Sequence, residues 1–200
     1  MAKFKFKPHD LQPWQTGLFW LWISILFFVL DQWTKSFAVE YFTTPGNPSV
    51  VEVMPSFNFI LRYNTGAAFS FLAGAGGWQV YFFSTIATLV SLGIMYWLYT
   101  LPRSNRWLGC SLAFILAGAI GNLYDRLTLG KVVDFIDWYY QNYHWPAFNI
   151  ADAVIMLGAV MMLLDGWVNK EDYASNDKSS SAPAGDSNKS IKDSDKAVKE

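Results

Sequence analysis

The chain has 200 residues, of which 52% are apolar, 18% aromatic and only 16% charged, with a formal net charge of −1. A soluble domain usually carries about 25% charged residues, so this composition excludes an ordinary soluble fold and indicates a membrane protein. The near-neutral balance supplies no basic field for nucleic acid, and the single cysteine, Cys110, allows neither an intrachain disulfide nor a cysteine metal cluster.

Residues 1–13 are polar and basic, with Lys3, Lys5 and Lys7. An uncharged run, GLFWLWISILFFVL, fills 17–30. It ends in Asp31-Gln32-Trp33-Thr34-Lys35 rather than in a small-x-small cleavage site, so it reads as a retained first span over about 14–39. Fourteen residues rise only about 21 Å as a helix, short of the roughly 30 Å hydrocarbon core, so the helix must run on through Asp31 and Lys35. Those two then share a face at i,i+4 and can pair.

Residues 40–77 contain Pro45, Pro48, Pro55 and several glycines and do not form a span. Residues 50–53 and 57–63 have strand-like composition, which predicts a small sheet lying on the membrane. Asn64-Thr65-Gly66-Ala67-Ala68-Phe69-Ser70 follows, with turn residues and then small ones that would let a backbone approach a ligand closely. The second span is 78–101 and the third 107–124, where Gly109, Gly118 and Gly121 permit close helix packing. Residues 127–143 read as a loop with a short amphipathic helix around 133–140, its Trp and Tyr residues at the headgroups. The fourth span is 148–168.

Three lysines precede the first span, Arg103 and Arg106 follow the second, and Lys170 follows the fourth. This bias puts both termini in the cytoplasm and the 118–152 stretch at the outer face. The expected organisation is a basic segment over 1–13, a membrane domain over 14–170 and a disordered tail over 171–200.

The chemistry gathers in 118–152, GAIGNLYDRLTLGKVVDFIDWYYQNYHWPAFNIAD. It carries Asp125, Asp134, Asp137 and Asp152, and Asn122 and Asn149 each stand three positions before an Asp. An ionisable group at a membrane boundary is costly and has a job or a partner. Two carboxyls in proximity cannot both ionise easily, so they share a proton and can do acid–base work without a metal. The only histidines are His9 and His144, which gives a Ser–His site little support, and there is no HExxH, cysteine metal spacing or phosphate-binding glycine loop.

Asp152 ranks first among the acids. Asp125 and Asp134 stay open for the second place. Symmetry of the two Asn-x-x-Asp units favours Asp125, but its neighbour Arg126 offers it the role of an ion-paired orienting group. The apolar Val132-Val133 lead-in would press Asp134 towards the membrane, whereas Asp137 reads as the wet face of the interfacial helix. The rival function is a small proton-coupled transporter with Asp152 as proton carrier, which would want acids at the midplane and inverted repeats.

GNLYDR, VVDF and FNIADA, in this order and spacing, resemble the lipoprotein signal peptidases (signal peptidase II) of bacteria. DQWTK at 31–35 and NTGAAFS at 64–70 resemble that family's two earlier motifs, and the likeness covers about 14–168. The resemblance implies four transmembrane helices, a periplasmic β-cradle and a short periplasmic helix. It implies an aspartic endopeptidase of the inner membrane that cuts the signal peptide from prolipoproteins just before a diacylglyceryl-bearing cysteine. Its catalytic acids would be Asp134 and Asp152, which decides against Asp125. Asn122, Asp125, Arg126 and Asn149 would surround the pair, Asn64 and Gly66 would meet substrate, and Asp31 and Lys35 would support the site. The expected partners are the lipidated precursors and membrane lipids, for a monomer without metal or cofactor.

Overall fold

The computed structural model of the protein describes residues 12–66 and 76–168. The expectations for 1–11, for 67–70 of the turn motif and for the 171–200 tail lie outside the described residues.

Two short 3-10 turns, Pro13–Gln15 and Gly17–Trp20, lead into α1, Leu21–Thr43. Strands β1, Val50–Met54, and β2, Phe57–Asn64, follow as a hairpin. Pro55 presets the backbone of its tight turn, and Ser56 takes the positive φ of 72° that closes it. Helix α2 is Trp78–Thr100 and α3 is Arg106–Leu129. Gly130, at φ 68°, caps α3 in the left-handed conformation and turns the chain into β3, Val132–Tyr140. Strand β4, Tyr143–His144, folds back on β3, and α4 is Ile150–Val168.

Three helical stretches are long and apolar enough to cross a membrane: Gly17–Thr43, Trp78–Thr100 and Arg106–Leu129. The third is the hub. It is the most buried of the three, and Leu108, Leu112 and Leu116 on α3 close against Ile94, Leu98 and Leu101 from α2 and its end. Ser24 of α1 donates to the Ala113 carbonyl of α3 at 2.8 Å. Glycine lets α4 approach: a Cβ on Gly118 would overlap the Ala151 carbonyl, and one on Gly158 would stand 2.6 Å from the Ser111 carbonyl. The outer faces stay apolar, with Tyr81, Leu89 and Leu92 of α2 widely exposed, as lipid contact requires.

The four strands form one antiparallel sheet in chain order. This corrects the amphipathic helix expected over 133–140, because VVDFIDWYY is β3. Its β-branched and aromatic residues suit a strand, and β2 supplies the edge it pairs with. Three expected boundaries also move. Helix α1 runs to Thr43, α3 runs to Leu129 and so contains Asn122, Asp125 and Arg126, and α4 starts at Ile150.

Candidate active site

The register of β3 places the first acid. Val132 stands opposite Asn64 and Asp134 opposite Arg62. On the other side Phe135 and Ile136 both donate to the Phe148 carbonyl, at 3.1 and 2.9 Å, which ties β3 to the residue just before Asn149. Asn149 then begins α4. Its side-chain oxygen accepts from the Asp152 N–H at 2.9 Å, and the Asp152 carboxyl accepts from the Asn149 N–H at 3.4 Å. This reciprocal cap leaves Asp152 on the first turn of α4. Its partner unit in the sequence, Asn122 and Asp125, is an i,i+3 pair inside α3 instead.

Two amides link the acids. The Asn149 amide donates to Asp134 Oδ1 at 2.8 Å, to the Val133 carbonyl at 3.1 Å and to Asn122 Oδ1 at 3.2 Å. The Asn122 amide donates to Asp152 Oδ1 at 2.7 Å. Asp134 is only 3% exposed. Burial, followed by the nearby charge of Asp152, pushes its carboxyl up to about 7, against the opposing pull of hydrogen bonds from Asn149 and Asn64. Among the described residues, no group of three or more His, Cys, Asp or Glu side chains is placed to hold a metal ion.

A second acid pair lies beside the first, and a cation divides it. Lys35 Nζ is 2.8 Å from Asp31 Oδ2, 3.0 Å from Asp125 Oδ2 and 3.1 Å from Asn122 Oδ1. Its three donors are thereby used. Asp31 reaches across to the Ala151 N–H at 2.8 Å, satisfying an orphan donor of the α4 first turn. Asp125 accepts from the Val133 N–H at 3.1 Å and fixes the start of β3. The expected Asp31–Lys35 pairing is present. Asp125, however, is bound to Lys35 rather than to Arg126. A Cβ on Gly121 would come within 2.7 Å of Asp31 Oδ2, so glycine is what lets this network close.

Arg126 turns to the cradle side. It donates to the Gly66 carbonyl at 2.9 Å and to the Asn122 carbonyl at 3.1 Å. Asn64 Oδ1 accepts from the Gly66 N–H at 2.9 Å, and the Asn64 side chain also bonds Asp134. The structure thus brings Asn64, Gly66, Asn122, Asp125, Arg126, Asp134, Asn149, Asp152, Asp31 and Lys35 into one connected polar cluster. Asp137 is not the wet residue expected of it. It is 4% exposed, accepts from His144 Nδ1 at 2.9 Å and from Asn58 at 3.3 Å. Sequence reasoning gave no role to Gln32, whose amide donates to Asp125 at 2.9 Å, to Asp31 at 3.2 Å and to the Gly121 carbonyl at 3.3 Å. Its place beside Asp31 was the available signal.

Bilayer-length apolar helices that meet at an amide-bridged carboxyl pair, one member buried and one half-buried, suit a membrane enzyme. The known proteins narrow that class. The family model of signal peptidase (SPase) II matches residues 23–168. A lipoprotein signal peptidase of Alteromonas mediterranea is 49% identical over 88% of this chain and 94% of that protein. One of Acinetobacter baumannii is 51% identical over 81% of this chain and 86% of that protein. A solved bacterial membrane enzyme, determined by the in meso method at 2.3 Å resolution, superposes with a TM-score of 0.64 at 28% identity, covering 76% of this chain and 90% of that one. The chain belongs to the signal peptidase II family and is a peptidase. The transporter reading gains no support from any of these.

Proposed function

We propose that the protein removes the signal peptide from diacylglyceryl-modified prolipoproteins, cutting before the lipidated cysteine, with Asp134 and Asp152 as the catalytic pair. The amide bridge carries this reading. Asn149 and Asn122 bind one acid each and are bonded to one another at 3.2 Å, so the two carboxyls are held as a unit. Asp134, raised to about 7, retains the proton near neutrality. Asp152, whose oxygens accept from Asn122 and the Asn149 N–H, takes the role of the base.

Asp152 takes a proton from water as the water oxygen attacks the scissile carbonyl carbon. Asp134 protonates the carbonyl oxygen, giving a neutral tetrahedral diol. Collapse of the diol restores the carbonyl, breaks the C–N bond and moves a proton to the leaving amine. Asn64 and Gly66, at the end of β2, contact the substrate peptide, and Arg126 holds the Gly66 carbonyl in place. In this reading α4 is a fourth span, both termini are cytoplasmic, and the sheet and acid pair stand at the periplasmic face of the inner membrane. A monomer then meets a lipid-anchored substrate at the depth of its scissile bond without extracting the lipid.

The test is cleavage of a lipidated precursor by Asp134→Asn and Asp152→Asn, made separately. Each protein should insert and fail to cut. Near-normal cleavage by either one would exclude the pair. Asp125→Asn should retain more activity than both, and an equally deep loss there would return the second place to Asp125.

A further inference from the structure

The end of the helices remote from the acids carries a second constructed site. The chain at Thr16 is strapped to the α2–α3 connection. Gly17 N–H donates to the Leu101 carbonyl at 2.7 Å, Arg103 N–H to the Gln15 carbonyl at 2.9 Å, and Thr16 pairs with Pro102 as a bridge. These bonds floor an open cleft of about 570 Å³ lined by Trp14, Phe19, Trp20, Arg103, Ser104 and Arg106, among others. The Arg103 guanidinium lies 3.5 Å over the Phe19 ring. Neither Arg103 nor Arg106 forms an ion pair with a carboxylate among the described residues.

Position limits what can fill it. Arg106 opens α3 and Asn122 stands sixteen residues on, so the cleft is about 24 Å along the helix from the acid pair. Trp14 is 60% exposed, Trp97 45% and Trp107 47%, an aromatic belt of the sort that lies at headgroup depth. Two guanidiniums within aromatic walls at that depth match a phosphate that is itself attached to acyl chains. The Asn105 side chain does not cap α3, so the positive helix end adds to the same field.

We propose that this cleft binds the phosphate headgroup of an anionic phospholipid, separately from the peptidase site. The lipid's phosphodiester pairs with Arg103 and Arg106, its glycerol lies over Trp14 and Trp20, and its chains stay in the bilayer. Such a lipid would anchor the connection between α2 and α3 at a fixed depth, which sets the height of α3 and so of the acids at its far end.

The test is native mass spectrometry of the delipidated full-length protein with added phosphatidylglycerol or phosphatidylcholine. Each surface cation contributes about 1 kcal/mol toward an anionic lipid, so the double variant Arg103→Gln/Arg106→Gln should bind phosphatidylglycerol about 30-fold more weakly. Phosphatidylcholine, whose phosphate is balanced by its own choline cation, should weaken less, and cleavage of the precursor in detergent should match the parent. Should the double variant fail to fold, Arg106→Gln alone should lose about fivefold. Parental affinity in a folded variant overturns the proposal. Equal weakening for phosphatidylcholine overturns the anionic preference, and displacement of the lipid by an excess of inorganic phosphate shows a free-phosphate site instead.

Discussion

Two pairs of aspartates lie within one hydrogen-bonded cluster, and they differ in what stands between them. Between Asp31 and Asp125 is Lys35, within 3.0 Å of both. Asp134 and Asp152 are bridged instead by the amides of Asn149 and Asn122. The first pair is tied to a cation and spends its remaining oxygens on fixing the fold: Asp31 holds α4, and Asp125 holds the first residues of β3. A pair bridged by neutral amides keeps its mutual repulsion, and a proton is what relieves it. In the proposed reading the same residue type builds a scaffold in one place and an acid–base site in the next.

The largest effects should separate the two pairs by kind. Asp134→Asn and Asp152→Asn should each lower cleavage of a lipidated precursor by about 10²- to 10⁴-fold, the range of a lost general acid or base, while the protein still melts cooperatively in detergent. Lys35→Met should act on stability first. It leaves Asp31 and Asp125 buried without their cation, which costs about 3–5 kcal/mol, and little folded protein should be recovered. Adding Asp31→Asn and Asp125→Asn to Lys35→Met should return part of the melting temperature. If Lys35→Met alone folds like the parent and loses only turnover, the division between scaffold and site is wrong.

That division explains what could be read from the sequence. The first three spans were legible because long uncharged runs have one stable solution in a bilayer, and β1 and β2 because Pro55-Ser56 separates two β-rich segments. Strand β3 was not. VVDFIDWYY fits an interfacial helix or a strand by local pattern, and the choice was made by β2, far away in the chain. The rank of Asp125 against Asp134 stayed open locally for the same reason. Lys35, which neutralises Asp125, is remote in sequence, whereas adjacent Arg126 bonds the Gly66 and Asn122 carbonyls. The two Asn-x-x-Asp units look alike as letters, but one is a helix interior and the other a helix cap.

pH should sharpen the contrast next. Asp134 has a folded value of about 7, above its ordinary 3.8. The folded protein thus holds a proton that the unfolded chain releases, so the stability this group contributes is full below about pH 4 and is lost as pH rises to about 7. Over roughly three pH units this amounts to on the order of 4 kcal/mol. Asp134→Asn has no such proton to lose. Its melting temperature should exceed that of the parent at pH 8 and converge with it near pH 4, whatever other groups do to both curves. Cleavage by the parent should decline about tenfold per pH unit above about 7, as the shared proton leaves. A stability difference independent of pH would contradict the burial assigned to Asp134.

The smallest effect belongs to Asp137, the second buried acid of β3. It lies three residues from Asp134, so strand alternation points the two carboxyls to opposite faces. Its partners are Asn58 on β2 and His144 on β4, and the His144 side chain is 56% exposed. Such a half-solvated contact contributes about 0–1 kcal/mol, and His144 stacks on Tyr139 in any case. Asp137→Asn should keep the Asn58 contact and shift the melting temperature only slightly. His144→Gln should keep a donor for Asp137. Both should cut the lipidated precursor within about fivefold of the parent, which corresponds to about 1 kcal/mol. A loss by Asp137→Asn approaching that of Asp134→Asn would mean that this acid takes part in proton transfer, and the pair would have to be redrawn as a chain running along β3.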